Sequence, residues 1–228
     1  MDLRVVLVEP ENPLNVGFVA RAMKSFGATD LTVAGSAWKT MPAEAFVTGG
    51  CVPEILDGAR FKTLEDALKG CDTAIAFSRR PTALRQEEFT LPELPATLNL
   101  SGKTALVFGR ESAGLTRAET ALCPYLARIP SQNGLSLNLG QAVAVALFGI
   151  TTAATATATD GELVKKPATT TASLERMSAL WEYLQPKFAA SPRLDGIRQD
   201  RIRQMLFKLH LNDDDFDQLF AVMKAISR

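Results

Sequence analysis

Five short apolar runs without polar alternation recur along the first half of the chain. They occupy residues 5–8, 31–34, 73–77, 105–108 and 126–129. Strands that are covered on both faces of a sheet show this pattern, because neither set of alternating side chains meets water. The runs therefore predict buried strands of a parallel sheet.

Helical patterns separate these runs. Apolar side chains at positions 18, 19, 22, 23 and 26 share one face at helical spacing, and Gly27 is a natural end for that helix. Thr63 begins a second helical pattern, and Thr116 with Glu119 forms a capping box at the start of a third. Strands that alternate with helices predict an α/β domain with a parallel sheet, which we place at residues 1–158.

The strand pattern is absent beyond residue 158. Residues 159–172 are rich in Lys, Pro, Ala and Thr, which predicts a linker. Apolar stripes then predict a small all-helical C-terminal domain at residues 173–228, with Asn212 as the cap of its last helix. A segment of this size buries little of its own apolar surface, so we expect it to dock on another part of a protein.

Composition and charge narrow the functional classes only slightly. With 46% apolar and 22% charged residues, the chain has the composition of a soluble globular protein. Lys and Arg together number 25, as do Asp and Glu, so the formal net charge is zero. This balance provides no overall attraction for nucleic acid, although it is compatible with a local basic face.

Cysteine and histidine content argues against metal chemistry. Cys51, Cys71 and Cys123 are odd in number and far apart, which predicts reduced thiols rather than disulfides or a zinc site. His210 is the single histidine, so neither a His-dependent triad nor a His-rich metal site is expected. The chain also lacks a signal-peptide pattern and any apolar run of membrane-spanning length. We therefore expect a cytoplasmic protein that binds no metal.

Polar residues whose side chains could take part in catalysis or binding follow three of the predicted strands. Asn15 and Arg21 follow the first, Glu111 follows the fourth, and Ser136 with Asn138 follows the fifth. Each has an ordinary structural interpretation: asparagine and serine cap helices, arginine is commonly solvated, and an acid is favoured in a first helical turn. Three such patches in this order are improbable as independent accidents, which favours a joint functional site.

The segments 15–23, 106–115 and 129–138 resemble the three sequence motifs of the SPOUT superfamily of RNA methyltransferases, most closely its TrmJ branch. The resemblance covers most of residues 4–148 and implies a deep trefoil knot, a fold feature that is rare among proteins. It also implies a homodimer that binds S-adenosylmethionine and methylates a tRNA ribose 2′-hydroxyl. The implied target is a cytidine or uridine in the anticodon loop, at tRNA position 32.

The resemblance also implies site residues. Its cofactor pocket would comprise Phe77, Ser78, Arg79, Gly109, Ile129, Ser136, Leu137 and Asn138. Its catalytic set would comprise Asn15, Arg21, Glu111, Ser136 and Asn138. In the latter, Arg21 would grip the phosphate beside the target ribose and stabilise charge developing on oxygen, because a guanidinium stays protonated. Asn15 would hold Arg21 or the ribose, Glu111 would pair with an arginine, and Ser136 with Asn138 would fix the loop or the ribose.

Other functions compete with this one. A related enzyme could act on rRNA or on another tRNA position, and a non-catalytic RNA-binding module could retain the same fold. A dinucleotide-binding domain ranks last, because residues 9–13 read Glu-Pro-Glu-Asn-Pro where that fold has its glycine-rich turn. The identity of the general base, and whether the C-terminal helices bind RNA or serve dimerisation, stay open at this stage.

Overall fold

The computed structural model describes residues 1–79, 87–94, 98, 100, 102–131, 135–159, 172–189, 196–207, 209 and 211–226. Its strands are β1 (Asp2–Val8), β2 (Asp30–Ala34), β3 (Arg60–Lys62), β4 (Thr73–Phe77), β5 (Glu87–Thr90), β6 (Lys103–Phe108) and β7 (Tyr125–Arg128). Its helices are α1 (Pro13–Ser25), α2 (Ala43–Gly49), α3 (Pro53–Asp57), α4 (Leu64–Leu68), α5 (Arg117–Ala121), α6 (Leu139–Thr159), α7 (Leu174–Ala189), α8 (Gly196–Phe207) and α9 (Asp213–Ile226).

The described strands form one sheet in the order β3-β2-β1-β6-β4-β7-β5. Each described strand pairing is parallel. The chain runs outward from β1 to β3, then continues on the other side of β1 with β4, β6 and β7. In parallel sheets, ligands bind beyond the carboxyl ends of strands where the strand order reverses, so this edge of the sheet is the place to look for a site.

Both faces of the sheet are covered by helices. Leu3, Val5 and Leu7 of β1 point to the face that packs against α1, α3 and α6. Val6 and Val8 point to the opposite face, which is covered by α4 and by the C-terminal helices α7, α8 and α9. The strands are therefore apolar on both faces, which is the physical reason for their uninterrupted apolar runs.

Glycines allow helices α1 and α2 to approach closely. A Cβ atom built on Gly17 would lie 2.1 Å from the Thr48 Oγ1 and 2.2 Å from the Ala45 carbonyl oxygen. The Thr48 hydroxyl donates to the Leu14 carbonyl oxygen at 2.7 Å, which adds a polar contact between the two helices. This close packing fixes α1, the helix that carries Asn15 and Arg21.

The sequence-based elements are present where they were predicted. All five apolar runs are strands, except that Ile129 follows the end of β7; the Thr116–Glu119 capping box is formed, and the Thr63 side chain caps α4. Asn212 caps α9, its Oδ1 accepting the Asp215 N–H at 2.7 Å. The short edge strands β3 and β5 and the helices α2 and α3 were not predicted, because they carry few apolar residues in a regular pattern.

The C-terminal helices dock on the sheet layer. Leu174, Leu180 and Trp181 are buried in the same core as Val6 and Val8 of β1. The Leu174 N–H donates to the Cys71 carbonyl oxygen at 3.1 Å. The division at residues 158 and 173 stays a prediction, since residues 160–171 of the expected linker lie outside the described residues. His210 also lies outside them.

Some further features bear on the kind of protein. Cys51, Cys71 and Cys123 are free thiols, and the latter two are buried. In the part of the chain that the structure describes, no helix combines the length and apolarity needed to cross a bilayer. The described residues also contain no group of three or more His, Cys, Asp or Glu side chains arranged to hold a metal ion.

Candidate active site

A cavity of about 260 Å³ lies beyond the carboxyl ends of β4, β6 and β7. Phe77 and Phe108, at the ends of neighbouring strands, line it and stack with ring centroids 4.6 Å apart. The other lining residues come from strand β7, from three loops and from the start of α6: Ser78, Arg79, Gly109, Arg110, Glu111, Ser112, Ala113, Gly114, Ala127, Ile129, Ser131, Leu135, Ser136, Leu137, Leu139 and Ala142. The cavity thus combines an apolar wall with exposed backbone and a few charged groups, as small-molecule sites do.

The loop after β6 turns back on itself at two glycines. Gly114 has a φ of 68°, a left-handed conformation that favours glycine. A Cβ atom on Gly109 would lie 2.2 Å from the Gly114 carbonyl carbon, so no larger residue fits there without moving the loop. The Gly114 N–H donates to the Arg110 carbonyl oxygen at 2.8 Å and closes the turn. The residues between these glycines, Arg110 and Glu111 among them, therefore project from a compact loop.

Glu111 holds the start of α1. Its carboxylate accepts the backbone N–H groups of Glu11 at 2.9 Å and Asn12 at 3.2 Å. It also accepts the Asn15 Nδ2 at 2.8 Å. The described partners of Glu111 are thus amides, and the expectation that it pairs with an arginine is wrong for this chain on its own. A carboxylate with three N–H donors is a structural anchor between the loop after β6 and the helix after β1.

Asn15 continues this contact to the third motif. Its Oδ1 accepts the Asn138 Nδ2 at 2.7 Å, and the Asn138 Oδ1 accepts the Gly140 N–H at 2.8 Å. Glu111, Asn15 and Asn138 therefore form one hydrogen-bond chain that joins all three sequence motifs. The expectation that Asn15 holds Arg21 is wrong within the described chain, where its amide binds Glu111 and Asn138.

The direction of each amide in the hydrogen-bond chain follows from the carboxylate. An ionised carboxylate only accepts hydrogen bonds, so Asn15 must present its NH₂ group to Glu111. Its oxygen then faces Asn138, which must present its own NH₂ group. The Asn138 oxygen is left to cap α6. A single negative charge thus sets the orientation of two side-chain amides.

The ordinary structural interpretation fails for Asn15, Ser136 and Glu111, but it holds for Arg21, which is exposed on α1, and for Asn138, which caps α6. The cap of α1 is Asn12, whose Oδ1 accepts the Leu14 N–H at 3.0 Å, so Asn15 is free of that role. The cap of α6 is Asn138, and Ser136 instead lines the cavity. Glu111 lies in a turn rather than in the first turn of a helix.

The sequence-based cofactor set is largely brought together. Seven of its eight residues line the cavity, and Asn138 lies beside it in the hydrogen-bond chain. Arg21 lies elsewhere, exposed on α1, and its side chain makes no hydrogen bond or ion pair with the described residues. Within one chain the structure therefore separates Arg21 from the cavity.

Sequence reasoning missed an ion-pair cluster beside the cavity. Arg110 donates to both carboxylate oxygens of Glu119, at 2.8 and 2.9 Å, and its Nε donates to the Glu9 carboxylate at 2.8 Å. Hydrogen bonds to Glu119 raise the pKa of the Arg110 guanidinium above its ordinary value, which outweighs the opposing effect of burial. The capping-box motif located Glu119, but its second role depends on a residue from the loop after β6.

The acid stability of the protein is expected to depend on Glu119. Burial acts to raise the pKa of its carboxyl, but hydrogen bonds from Arg110 and Thr116 outweigh burial and leave that pKa below its ordinary value of 4.5. A lowered folded-state pKa means that the ionised group stabilises the protein above pH 4.5, and that this contribution is lost as pH falls through the lowered value. Urea unfolding at several pH values should therefore show that the free energy of unfolding falls less at acid pH for Glu119→Gln than for the wild type. Equal losses would contradict this assignment.

Comparisons of the sequence with known proteins agree on one family. The sequence profile of the SpoU rRNA methylase family matches residues 2–148. The chain is 38% identical over 160 residues to the tRNA (cytidine/uridine/adenosine-2′-O-)-methyltransferase TrmJ of Pseudomonas aeruginosa, covering 65% of this chain and 60% of that protein. It is 33% identical over 222 residues to the uncharacterized tRNA/rRNA methyltransferase LasT of Escherichia coli, covering 93% of this chain and 92% of that protein.

Solved structures share the fold. The crystal structure of TrmJ from Z. mobilis ZM4 has a TM-score of 0.84 and 23% sequence identity, and the match covers 100% of both chains. A structure that addresses 2-OH methylation of C/U34 on tRNA has a TM-score of 0.55 and 27% identity, covering 68% of this chain and 97% of that one. The first likeness includes the C-terminal helices, whereas the second is limited to a smaller part of the chain.

Proposed function

The chain belongs to the SpoU rRNA methylase family, and from this we propose that it is an S-adenosylmethionine-dependent 2′-O-methyltransferase that acts on tRNA. The observation that carries the proposal is the hydrogen-bond chain beside the cavity. Glu111, Asn15 and Asn138 come from three separate motifs, and their contacts hold the loops around one pocket. The names of the relatives favour a ribose 2′-hydroxyl of RNA as the acceptor.

The residues of the cavity fit the proposed cofactor. Ile129, Leu137 and Leu139 offer an apolar wall for a nucleobase, and Gly109 is among the residues that line the cavity. When bound, S-adenosylmethionine supplies a methyl group on a sulfonium, which needs no metal ion for its transfer. The chain then has to place an acceptor oxygen in line with that methyl group, and such positioning accounts for much of the rate of a reaction between two bound partners.

The proposed role of Glu111 is positioning rather than proton transfer. Its carboxylate accepts three N–H donors from the start of α1 and so links the loop after β6 to that helix. We therefore assign Glu111, Asn15 and Asn138 to the support of the pocket and Ser136 to its wall. The role of stabilising negative charge on the acceptor oxygen is assigned to Arg21.

A homodimer is the proposed active form, because Arg21 lies apart from the cavity of its own chain. Phe18, one helical turn before Arg21, is 48% exposed, and Phe148 of the adjacent helix α6 is 56% exposed. Leu14, Leu137 and Val145 are also exposed: 38%, 36% and 39%, respectively. Contiguous apolar side chains on a surface typically mark a protein–protein interface. Pairing two copies through this face would bring Arg21 of one copy toward the cavity of the other.

The finer features of the fold and target are also proposals. We expect the trefoil knot of the SPOUT superfamily in the loops after β6 and β7, where the second and third motifs lie. We expect the target to be a cytidine or uridine in the anticodon loop, at position 32. We expect the protein to act in the cytoplasm. Position 34 is the rival within the same loop, since a structural relative is described as acting on C/U34. An rRNA target is the second candidate, because the family profile carries that name.

The test is methyl transfer from labelled S-adenosylmethionine to separated pools of tRNA and rRNA, followed by mass spectrometry of the modified nucleotide. We expect a 2′-O-methylated pyrimidine in the tRNA anticodon loop. Label confined to rRNA would contradict the proposed tRNA substrate but would still support the proposed methyl-transfer reaction. Cofactor binding without transfer to either pool would favour a non-catalytic RNA-binding module, and the absence of cofactor binding would overturn the proposed function itself.

A further inference from the structure

Arg110 adjoins Glu111 in the sequence, but the two side chains hold different parts of the molecule. Glu111 contacts the start of α1, whereas Arg110 contacts Glu9, the residue that follows β1, and the first turn of α5. The Arg110 Nη1 also donates to the Gly114 carbonyl oxygen at 3.3 Å, inside the same loop. The donors of one guanidinium therefore connect the loop after β6 to two other segments and to its own far end.

The contact with Glu119 has the geometry that arginine favours. Two guanidinium nitrogens meet two carboxylate oxygens, a paired arrangement that a lysine ammonium cannot reproduce. Glu119 is itself fixed, because its Oε2 accepts the Thr116 N–H at 2.7 Å and its own N–H binds the Thr116 hydroxyl. Both members of the ion pair are largely buried, each with a side-chain exposure of 16%. Arg110 is thus bound to a rigid helix start.

The contact with Glu9 involves an unusual backbone. Glu9 is the only non-glycine residue in the described chain with a positive φ, at 45°. Its N–H donates to the Ala34 carbonyl oxygen at 2.8 Å, and its carboxylate binds Arg110. A left-handed conformation is costly for a residue with a Cβ atom, so it persists where neighbouring contacts hold it. The Arg110 contact holds this turn, which leads directly into the amides that bind Glu111.

We infer that Arg110 is a positioning residue that sets the conformation of the cofactor loop between Gly109 and Gly114. This loop forms one wall of the cavity, yet the charged end of Arg110 is occupied by Glu9 and Glu119. Arg110 would therefore act on bound cofactor through the loop rather than by binding RNA phosphate. The inference rests on the proposed function, since it assumes that the cavity takes S-adenosylmethionine.

The test compares Arg110→Lys and Arg110→Gln with Arg117→Gln as the matched control. Arg117 lies on α5 and pairs with Asp200 at 3.0 Å, outside the cavity wall. We expect both Arg110 variants to bind cofactor about tenfold to a hundredfold more weakly, as the loss of a charge-assisted contact predicts. Their KM for cofactor should rise in parallel, while kcat at saturating cofactor stays within about threefold of wild type. Arg117→Gln should match the wild type.

The outcomes separate this inference from the proposed function. Wild-type protein that fails to bind cofactor would overturn the proposed function, whatever the variants do. Wild-type binding with unchanged affinity in the folded Arg110 variants would overturn the inference alone, as would an equal loss in Arg117→Gln. If Arg110→Gln fails to fold, Glu9→Gln decides the matter, because it removes one carboxylate partner and leaves the Arg110–Glu119 pair. A raised KM for cofactor in that variant supports the inference, and an unchanged KM refutes it.

Discussion

Replacing Arg21 by alanine is expected to reduce RNA methylation by at least about a hundredfold, the loss seen when one pre-organised electrostatic group is removed from an active site. The side chain is exposed and makes no contact by hydrogen bond or ion pair with the described residues. Its loss should therefore change the free energy of unfolding by no more than about 0.5 kcal/mol. Cofactor affinity should also be nearly unchanged, because Arg21 is not among the residues that line the cavity of its own chain.

Lys24→Ala is the control for this experiment. Lys24 is exposed on the same helix and pairs with Glu54 at 2.8 Å, a surface contact that contributes little to stability. Single-turnover methylation of tRNA and calorimetric titration of cofactor would be measured for both variants. Turnover that survives in Arg21→Ala, or that falls equally in Lys24→Ala, would show that Arg21 is not the group that stabilises charge on the acceptor oxygen.

Replacing Asn15 by aspartate is expected to break the hydrogen-bond chain at its centre, although the side chain keeps its size. Asn15 is 7% exposed, and its NH₂ group donates to the Glu111 carboxylate. An aspartate there would face Glu111 with a second negative charge and no hydrogen to donate. We expect the free energy of unfolding near pH 7 to fall by about 2 to 4 kcal/mol, typical of a buried charge without a partner. Methylation should fall with it, because the loop after β6 loses its bond to the Asn15 side chain, even though an aspartate oxygen could still accept the Asn138 NH₂ group.

The loss of unfolding free energy in Asn15→Asp should be smaller at acid pH than at neutral pH. Repulsion from Glu111 and burial would both raise the pKa of the new carboxyl above its ordinary value. A raised folded-state pKa means that the folded state takes up a proton first, so the deficit relative to wild type should shrink as pH falls from about 7 toward 5. Asn12→Asp is the matched control, because Asn12 is an exposed cap and aspartate caps a helix equally well. A deficit in Asn15→Asp that is independent of pH would contradict the proposed orientation of the amides.

Much of the fold was predictable because its strands are covered on both faces. The runs at residues 5–8 and 105–108 are apolar at every position, and both are central strands. The edge strands β3 and β5 escaped prediction for the same physical reason, since an edge position does not demand a continuous apolar run. The resemblance to SPOUT methyltransferases is confirmed by the family profile and by relatives at 33% and 38% identity.

The sequence largely predicted which residues gather at the cavity, but it did not predict their contacts. Apart from Arg21, the predicted site residues lie at or beside one cavity, yet a sequence pattern cannot assign a partner to a carboxylate. Glu111 was expected to meet an arginine, and it meets amides from the start of α1 instead. Arg110, its neighbour, is the residue that pairs with acids. Whether an acidic side chain meets a cation or an amide is decided by the turn that carries it, and the turn depends on contacts distant in the sequence.

The bond between Asn15 and Asn138 joins residues 123 positions apart, and this separation has a consequence for how the protein is made. Pairing of β1 with β2 requires only a short stretch of chain, whereas the pocket cannot close until α6 has emerged from the ribosome. Contacts so remote in sequence form late and slowly, because a long loop must be ordered before they provide any stabilisation. A nascent chain that stops before α6 would hold the sequence of every strand but would lack the residues of α6 that line the cavity.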